Sequence, residues 1–345
     1  MAEQSYLQWL VSETPTTWWH DSADPVELKQ GIFHKACGAT TNPVLAAKTI
    51  SNSRAFWGDK LSSIPRNLEP EQQAEAILEH IVTNTAAEFE SVHKETKGKS
   101  GYVCAQVNPA IAADTEAMIA MGKRFNSWAP NIAVKFPVTA AGLDAMEECV
   151  ADGITVTGTV SFTVPQVIAI ANRHKKGIAR AIKAGKKPGE CFAVIMIGRI
   201  DDYLRDVAND NKANISESDI RQAGLAISKR AYSIYKEEGY PATLLVAALR
   251  GTHHMEGLTG AELIMSIHPK YQELLLQPEV PREPNQIDVP IAPDVIKRLK
   301  TIPEFVRAYE PDGMEPNEFV TFGITQRTLT QFSLAGWSQL ESFKL

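Results

Sequence analysis

The sequence has no apolar run approaching the ~18 residues that a membrane-spanning helix needs. Its opening stretch, Met1 to Val11, is too polar for the apolar region of a secretory signal. The four cysteines, Cys37, Cys104, Cys149 and Cys191, lie far apart and form no C-x-x-C pair, which suggests neither a disulfide framework nor a zinc knuckle. No run of lysine and arginine makes a basic stripe, and the formal net charge is -6. Nucleic acid is therefore not expected as the main partner, and any bound anion must be met by local cations. No Gly-rich phosphate loop follows an apolar run, and there is no internal repeat or low-complexity segment. These absences lead us to expect a soluble protein of the reducing cytoplasm, with neither membrane nor nucleic acid as partner.

What is present is enough apolar residue for a large core: 345 residues, 44% hydrophobic and 22% charged. The stretch Asn131 to Leu143 holds the main anomaly. Ile132, Ala133, Val134 and Phe136, bounded by Pro130 and Pro137, read as a short strand buried on both faces. Lys135 sits inside it. An ammonium taken out of water without a partner is costly, so such a group pairs, reaches solvent, or loses its proton. Loss of the proton makes a nucleophile able to form a Schiff base with a carbonyl. A strand-end lysine reaching solvent is the alternative that this stretch alone leaves open.

Apolar runs at Thr16–Asp21, Gly38–Pro43, Gly101–Val107, Ile132–Phe136, Ile154–Ser161, Cys191–Ile197, Thr243–Leu249 and Glu262–Ile267 read as eight short strands. Helical spacing between them covers Glu69–Phe89, Ile111–Phe125, Leu143–Val150, Val164–Ala184 and Ile220–Glu238. This alternation fits an α/β fold, a (β/α)8 TIM-type barrel with Lys135 on strand four, better than an open doubly wound sheet. We expect a single domain over residues 1–345, with the barrel core at about 16–276. A connection at 277–293 holds five prolines, and a helical extension covers 294–345. Phe319, Phe322, Leu329, Phe332, Trp337, Leu340 and Phe343 make that tail apolar enough to need cover. It either lies across the barrel or its mouth, or forms an oligomer contact, as in a homodimer.

In such barrels the chemistry sits at the carboxyl ends of the strands. The polar residues there are Asp21, Thr41 and Asn42, Gln106 and Asn108, Lys135, Thr157 and Thr159, Arg199, and Arg250. A carboxylate, an amide and a hydroxyl converging on a lysine supply the proton shuttle, the orienter and the hydrogen bond that Schiff-base aldol chemistry needs. Two arginines at the mouth would clamp an anion. Singly, each has a plainer role: Asp21 as a helix N-terminal acid, Asn42 as a turn residue, the arginines as surface ion pairs. Trp18 and Trp19 read as packing rather than a sugar platform, and Glu147, Glu148 and Asp152 as a solvated helix face.

Four stretches, Trp18 to Asp24, Ala39 to Pro43, Val134 to Gly142 and Gly153 to Thr159, together resemble successive motifs of the transaldolase family and the related fructose-6-phosphate aldolases. Gly198 to Asp201 and Ala247 to Arg250 resemble the family's later arginine motifs, so the likeness covers roughly 16–270. The resemblance implies a (β/α)8 barrel and a class I mechanism with no metal or other cofactor, acting on sugar phosphates. By the same pattern Lys135 forms the imine, Asp21 moves protons, Asn42 holds a donor hydroxyl, Thr159 positions a water, and Arg199 and Arg250 take the phosphate.

The chain also departs from that pattern. Gln106 stands where transaldolases usually have glutamate and the aldolases glutamine; Val194 replaces a serine; Met196 replaces phenylalanine or tyrosine; Ala248 replaces a serine; and Thr157 replaces an asparagine. His253 and His254 are unlike the pattern, and read either as aids to anion or acceptor binding or as a loop turning into a short helix. The expectation is a transferase of a dihydroxyacetone-type unit between sugar phosphates. The alternatives are a lyase that releases the ketone and a non-catalytic sugar-phosphate binding protein.

Overall fold

The computed structural model describes residues 4–277 and 279–344; Pro278, one of the five prolines of the connection, lies outside them, as do the first three residues of the polar opening. Seven parallel strands form one curled sheet: β1 (Thr17–His20), β2 (Val103–Gln106), β3 (Ile132–Pro137), β4 (Val156–Thr159), β5 (Cys191–Met196), β6 (Thr243–Ala247) and β7 (Ile264–Ile267). Their order is β1-β7-β6-β5-β4-β3-β2. Every residue of β2, β3, β4, β5 and β7 is buried, as expected of parallel strands covered on both faces. The crossovers are helices, among them Pro70–Glu95, Thr115–Asn126, Ala140–Ala151, Val164–Lys183 and Ala223–Glu237. This is an α/β fold compatible with a TIM barrel. No helix among the described residues is long and apolar enough to cross a membrane.

One of the eight expected strands is reduced to a single residue. Of Gly38–Pro43 only Ala39 joins the sheet, bridged in parallel to His20 on one side and Val103 on the other. The chain leaves at once because Pro43 opens a helix, Pro43–Asn52, whose N-cap is Asn42, and a proline at the first helical position holds its predecessor extended. The last strand also starts later than Glu262, at Ile264.

Trp18 and Trp19 are core residues, Trp19 meeting Phe192 edge-on with ring centroids 4.7 Å apart. Glu147 and Glu148 pair with Arg173 and Arg180, and Asp152 pairs with Lys123 and Lys186, on the outer helical surface. All four cysteines are free thiols.

The tail folds back over the strand ends. Helix Gly323–Phe332 runs into one π-helical turn, Ser333–Trp337, where Gly336 lies against Pro43; a Cβ there would stand 2.7 Å from the Pro43 Cβ. Gln73 Nε2 donates to the carbonyls of Leu340, Glu341 and Phe343 at 2.9–3.1 Å, satisfying acceptors that a helix end otherwise leaves open. The apolar tail is thus covered by its own chain: Phe319, Phe322, Phe332, Trp337 and Leu340 are buried.

The strand carrying Lys135 is locked to its helix by Thr139, which accepts from Gly142 N at 3.0 Å and donates to Ala112 O at 2.6 Å. A Cβ on Gly142 would fall 1.9 Å from Pro137 O, a backbone atom that cannot swing aside. Gly142→Ala should therefore destabilise the fold by about 1–3 kcal/mol or more, read as a lowered urea midpoint. An unchanged midpoint would contradict this packing.

Candidate active site

A cavity of about 330 Å³ opens at the carboxyl ends of the strands, and Asp21, Asn42, Lys135, Met196, Arg199 and Arg250 all line it. These six come from five strand ends, Met196 and Arg199 sharing that of β5, and all were expected at the site from the sequence. Lys135 is 5% exposed. It is registered against Gln106 on β2 and Thr157 on β4; paired residues in a parallel ladder share a face, so these three make one layer. Lys135 Nζ makes no ion pair or hydrogen bond among the described residues.

Asp21 follows β1, its carboxylate accepting from Thr40 Oγ1 at 2.7 Å. The Thr40 hydroxyl also meets Ser266 Oγ of β7. Thr40 and Ser266 line the cavity, and the sequence reading missed both. It named Thr41 instead, whose hydroxyl donates to Cys104 O at 2.6 Å and is buried away from the cavity. Asn42 Oδ1 accepts from Val44 N and Leu45 N at 2.9 and 3.0 Å. It is both a helix cap and a cavity residue: with Oδ1 committed to the cap, the amide NH2 is the group left to donate.

Gln106, Thr157 and Thr159 do not line the cavity but lie buried beside it. Thr159 is two residues beyond Thr157 on the same strand, hence on the same face one layer nearer the strand ends. Gln106 Oε1 and Thr159 Oγ1 are buried polar atoms without a protein partner. Thr157 Oγ1 lies 3.7 Å from Cys104 Sγ. Asn108 faces elsewhere: its side chain caps the turn at Ala110 N and donates to Glu71 at 3.3 Å.

The two arginines form one edge of the cavity. Arg199 lies in the first turn of helix Ile197–Asp210, and Arg250 follows β6. The Arg250 stem crosses the helix that carries Arg199 at Gly198, where a Cβ would be 2.3 Å from Arg250 Cγ. Burial, followed by the charge of Arg250, pulls the Arg199 guanidinium down to about 10, still cationic at neutral pH. Arg199 Nη1 donates to Gln331 at 2.6 Å, its guanidinium carbon stands 5.4 Å from the Phe332 ring centroid, and its Nε is buried without a partner. Arg250 Nε donates to Asp202 at 2.8 Å and Nη1 to Ala248 O at 2.8 Å. The tail thus supplies Gln331 and Phe332 to this edge, and Phe332 is itself a cavity wall. No local sequence signal could have located either.

Met196 and Ala248 line the cavity, whereas Val194 is core beneath it. His253 and His254 lie in a short helix, Thr252–Glu256. No group of three metal-ligating side chains reaches into this cavity among the described residues; the one such group lies behind it, at Asp201, His253 and His254.

Residues 18–308 match the family described as Transaldolase/Fructose-6-phosphate aldolase. Curated relatives include a protein named transaldolase from Neisseria gonorrhoeae, 27% identical over 270 residues, covering 68% of this chain and 74% of that one. A transaldolase from Neisseria meningitidis serogroup A is 27% identical over 271 residues, with the same coverage. One from Kocuria rhizophila is 25% identical over 240 residues, covering 66% of this chain and 64% of its own.

Because Asn42 caps a helix as well as lining the cavity, the two roles separate by mutation. Asn42→Ala should lower stability by about 1 kcal/mol, and Asn42→Asp, which keeps a capping oxygen, should not. The check is chemical denaturation of both variants; equal losses would mean that the cap contributes nothing.

Proposed function

Because the chain belongs to the transaldolase/fructose-6-phosphate aldolase family, we propose that it transfers a dihydroxyacetone-type unit between sugar phosphates through a Schiff base on Lys135. The observation that carries the reading is the cavity itself: a desolvated lysine, a carboxylate, a free amide NH2 and two guanidinium groups share one 330 Å³ space. Counting Ala39 as the remnant of a second strand, the sheet is a (β/α)8 barrel in which Lys135 stands on the fourth strand, in one domain with its tail folded over the mouth.

In this reading the Lys135 amine attacks the ketose carbonyl and water leaves, giving an iminium. Asp21, oriented by Thr40, takes the proton from the hydroxyl on the β carbon. The α–β carbon–carbon bond then breaks, its electrons move into the iminium to give an enamine, and an aldehyde departs. Attack of the enamine on a second aldehyde re-forms the bond, Asp21 returns its proton, and water hydrolyses the imine to free the product. Asn42 donates to a hydroxyl of the bound ketol unit. Arg199 and Arg250 meet the anionic end. Gln106 and Thr159, with their unpartnered oxygens, hold the water that enters and leaves.

The assignment of transfer rather than release rests on Gln106 together with Met196, because the aldolases that release the ketone pair the same glutamine with a tyrosine. A glutamine amide orients a water but cannot exchange protons with it, and Met196 offers no hydroxyl in its place. Both outcomes end in hydrolysis of an imine, but release first needs protonation of the enamine carbon, whereas transfer needs only that the enamine survive until an aldehyde arrives. A phosphorylated ketose alone should therefore yield little free dihydroxyacetone, and an added aldose phosphate should produce rapid exchange, with products followed by mass. Ketone release from donor alone at the rate of transfer would establish a lyase instead.

A further inference from the structure

Behind the arginine edge lies a buried polar pair that the proposed chemistry does not use. His254 is fully buried and Asp201 is 2% exposed. Asp201 Oδ2 accepts from His254 Nε2 at 2.8 Å, and its other oxygen accepts from Gly224 N at 2.7 Å. On the far side of the ring, His254 Nδ1 accepts the backbone N–H of Arg250 at 3.3 Å. These bonds fix the tautomer: Nδ1 accepts, so the proton is on Nε2.

The ligand atoms of Asp201, His253 and His254 lie within 4.8 Å of one another, yet a cation does not fit. With Nδ1 accepting an N–H, a metal on Nε2 would require an imidazolate. His253 Nδ1 is also 3.2 Å from the Arg221 guanidinium, a cation beside the would-be site.

We propose that His254, held by Asp201, is a positioning residue for the anion clamp: it anchors the main chain of Arg250 and so fixes that guanidinium beside Arg199. The inference rests on the reading of Arg250 as a contact to the donor's anionic end.

Three features make the anchor necessary. Ala248, just before Arg250, has φ +57°, a left-handed conformation that a non-glycine residue holds only when its surroundings impose it. Arg250 then turns back so that its own Nη1 caps the carbonyls of Ala248 and Leu249, at 2.8 and 3.2 Å, while Nε reaches Asp202. Asp201 and Asp202 both belong to the helix that carries Arg199. One helix turn therefore holds Arg199, the carboxylate on the Arg250 side chain, and the carboxylate that holds His254 on the Arg250 backbone. The spacing of the two guanidinium groups is set twice, at the side chain through Asp202 and at the backbone through the Asp201–His254 pair. The second anchor lies beneath the strained turn, where it acts on position rather than charge.

The test compares steady-state kinetics with a phosphorylated ketose and with dihydroxyacetone or another uncharged ketose as donor. His254→Phe fills the space but removes the acceptor for Arg250 N. KM for the phosphorylated donor should rise on the order of tenfold, the effect of a misplaced charge-assisted contact. The loss on the uncharged donor should be several-fold smaller, and kcat should fall less than KM rises. His254→Asn, whose Oδ1 falls near the Nδ1 position, should recover part of the loss; His254→Gln, which keeps a donor toward Asp201 but not the acceptor, should not.

If the Phe variant does not fold, the Asn and Gln variants decide alone: Gln equal to or better than Asn on the phosphorylated donor overturns the proposal. So does an equal loss on both donors. Arg250→Gln, run in parallel, separates the two levels. Should it leave the preference for a phosphorylated donor intact, the clamp itself is wrong. Should it abolish that preference while His254→Phe does not touch it, only the positioning role is wrong.

Discussion

An amine 5% exposed inside a wholly buried parallel strand is the constraint around which this molecule is built. Its own layer is neutral: Gln106 on one side and Thr157 on the other, with the Cys104 thiol pushed up by burial and so uncharged. The nearest anionic function in the cavity, Asp21, is held by Thr40 and forms no ion pair with Lys135 among the described residues. A salt bridge would have stabilised the ammonium and made it inert. A neutral, close-packed layer instead leaves the amine unpaired at the cavity wall, where an arriving carbonyl can reach it. The packing that produces this layer is rigid, with Gly142 against Pro137 O and Thr139 tying strand to helix.

The other end of the cavity obeys the opposite electrostatic logic. Two arginines line this edge, and burial, with the repulsion of Arg250 added, already pulls Arg199 downward. Such a pair persists because each group is tied by other bonds: Arg199 to Gln331 and the Phe332 ring, Arg250 to Asp202 and to carbonyls of its own turn. An anion between them would relieve repulsion that the protein alone only partly offsets. The tail thereby gains a reason for its apolar sequence. It seats Gly336 on Pro43, brings Phe332 to the cavity wall, and so joins Asn42 and Arg199, which arise from opposite sides of the sheet, to one cover.

Much of the fold was legible because its signal is local. Short apolar runs broken by helical periods gave seven of the strands, and the anomaly of a lysine in such a run pointed to a residue that lines the cavity. Ala39 escaped because a one-residue bridge has no period to read. Thr40 and Thr41 show a related limit: adjacent residues of an extended segment face opposite ways, and sequence alone could not say which one faced the cavity. Arg199 and Arg250 were expected from their places after strands and do line the cavity, but their setting was not legible. Gln331 reaches Arg199 across 132 positions and His254 reaches Asp201 across 53, and no pattern within either stretch encodes such a contact. Of the two readings of the paired histidines, the plainer one, a loop entering a short helix, is what Thr252–Glu256 form, and neither histidine lines the cavity.

The central claim is that Lys135 carries the covalent intermediate, and reductive trapping tests it most directly. The protein is treated with borohydride in the presence of a ketose donor and a chelator, and the labelled peptide is identified by mass. The account predicts one added ketol unit, on Lys135, with no label in Lys135→Ala. Label on another lysine, label persisting in that variant, or trapping abolished by the chelator would contradict it.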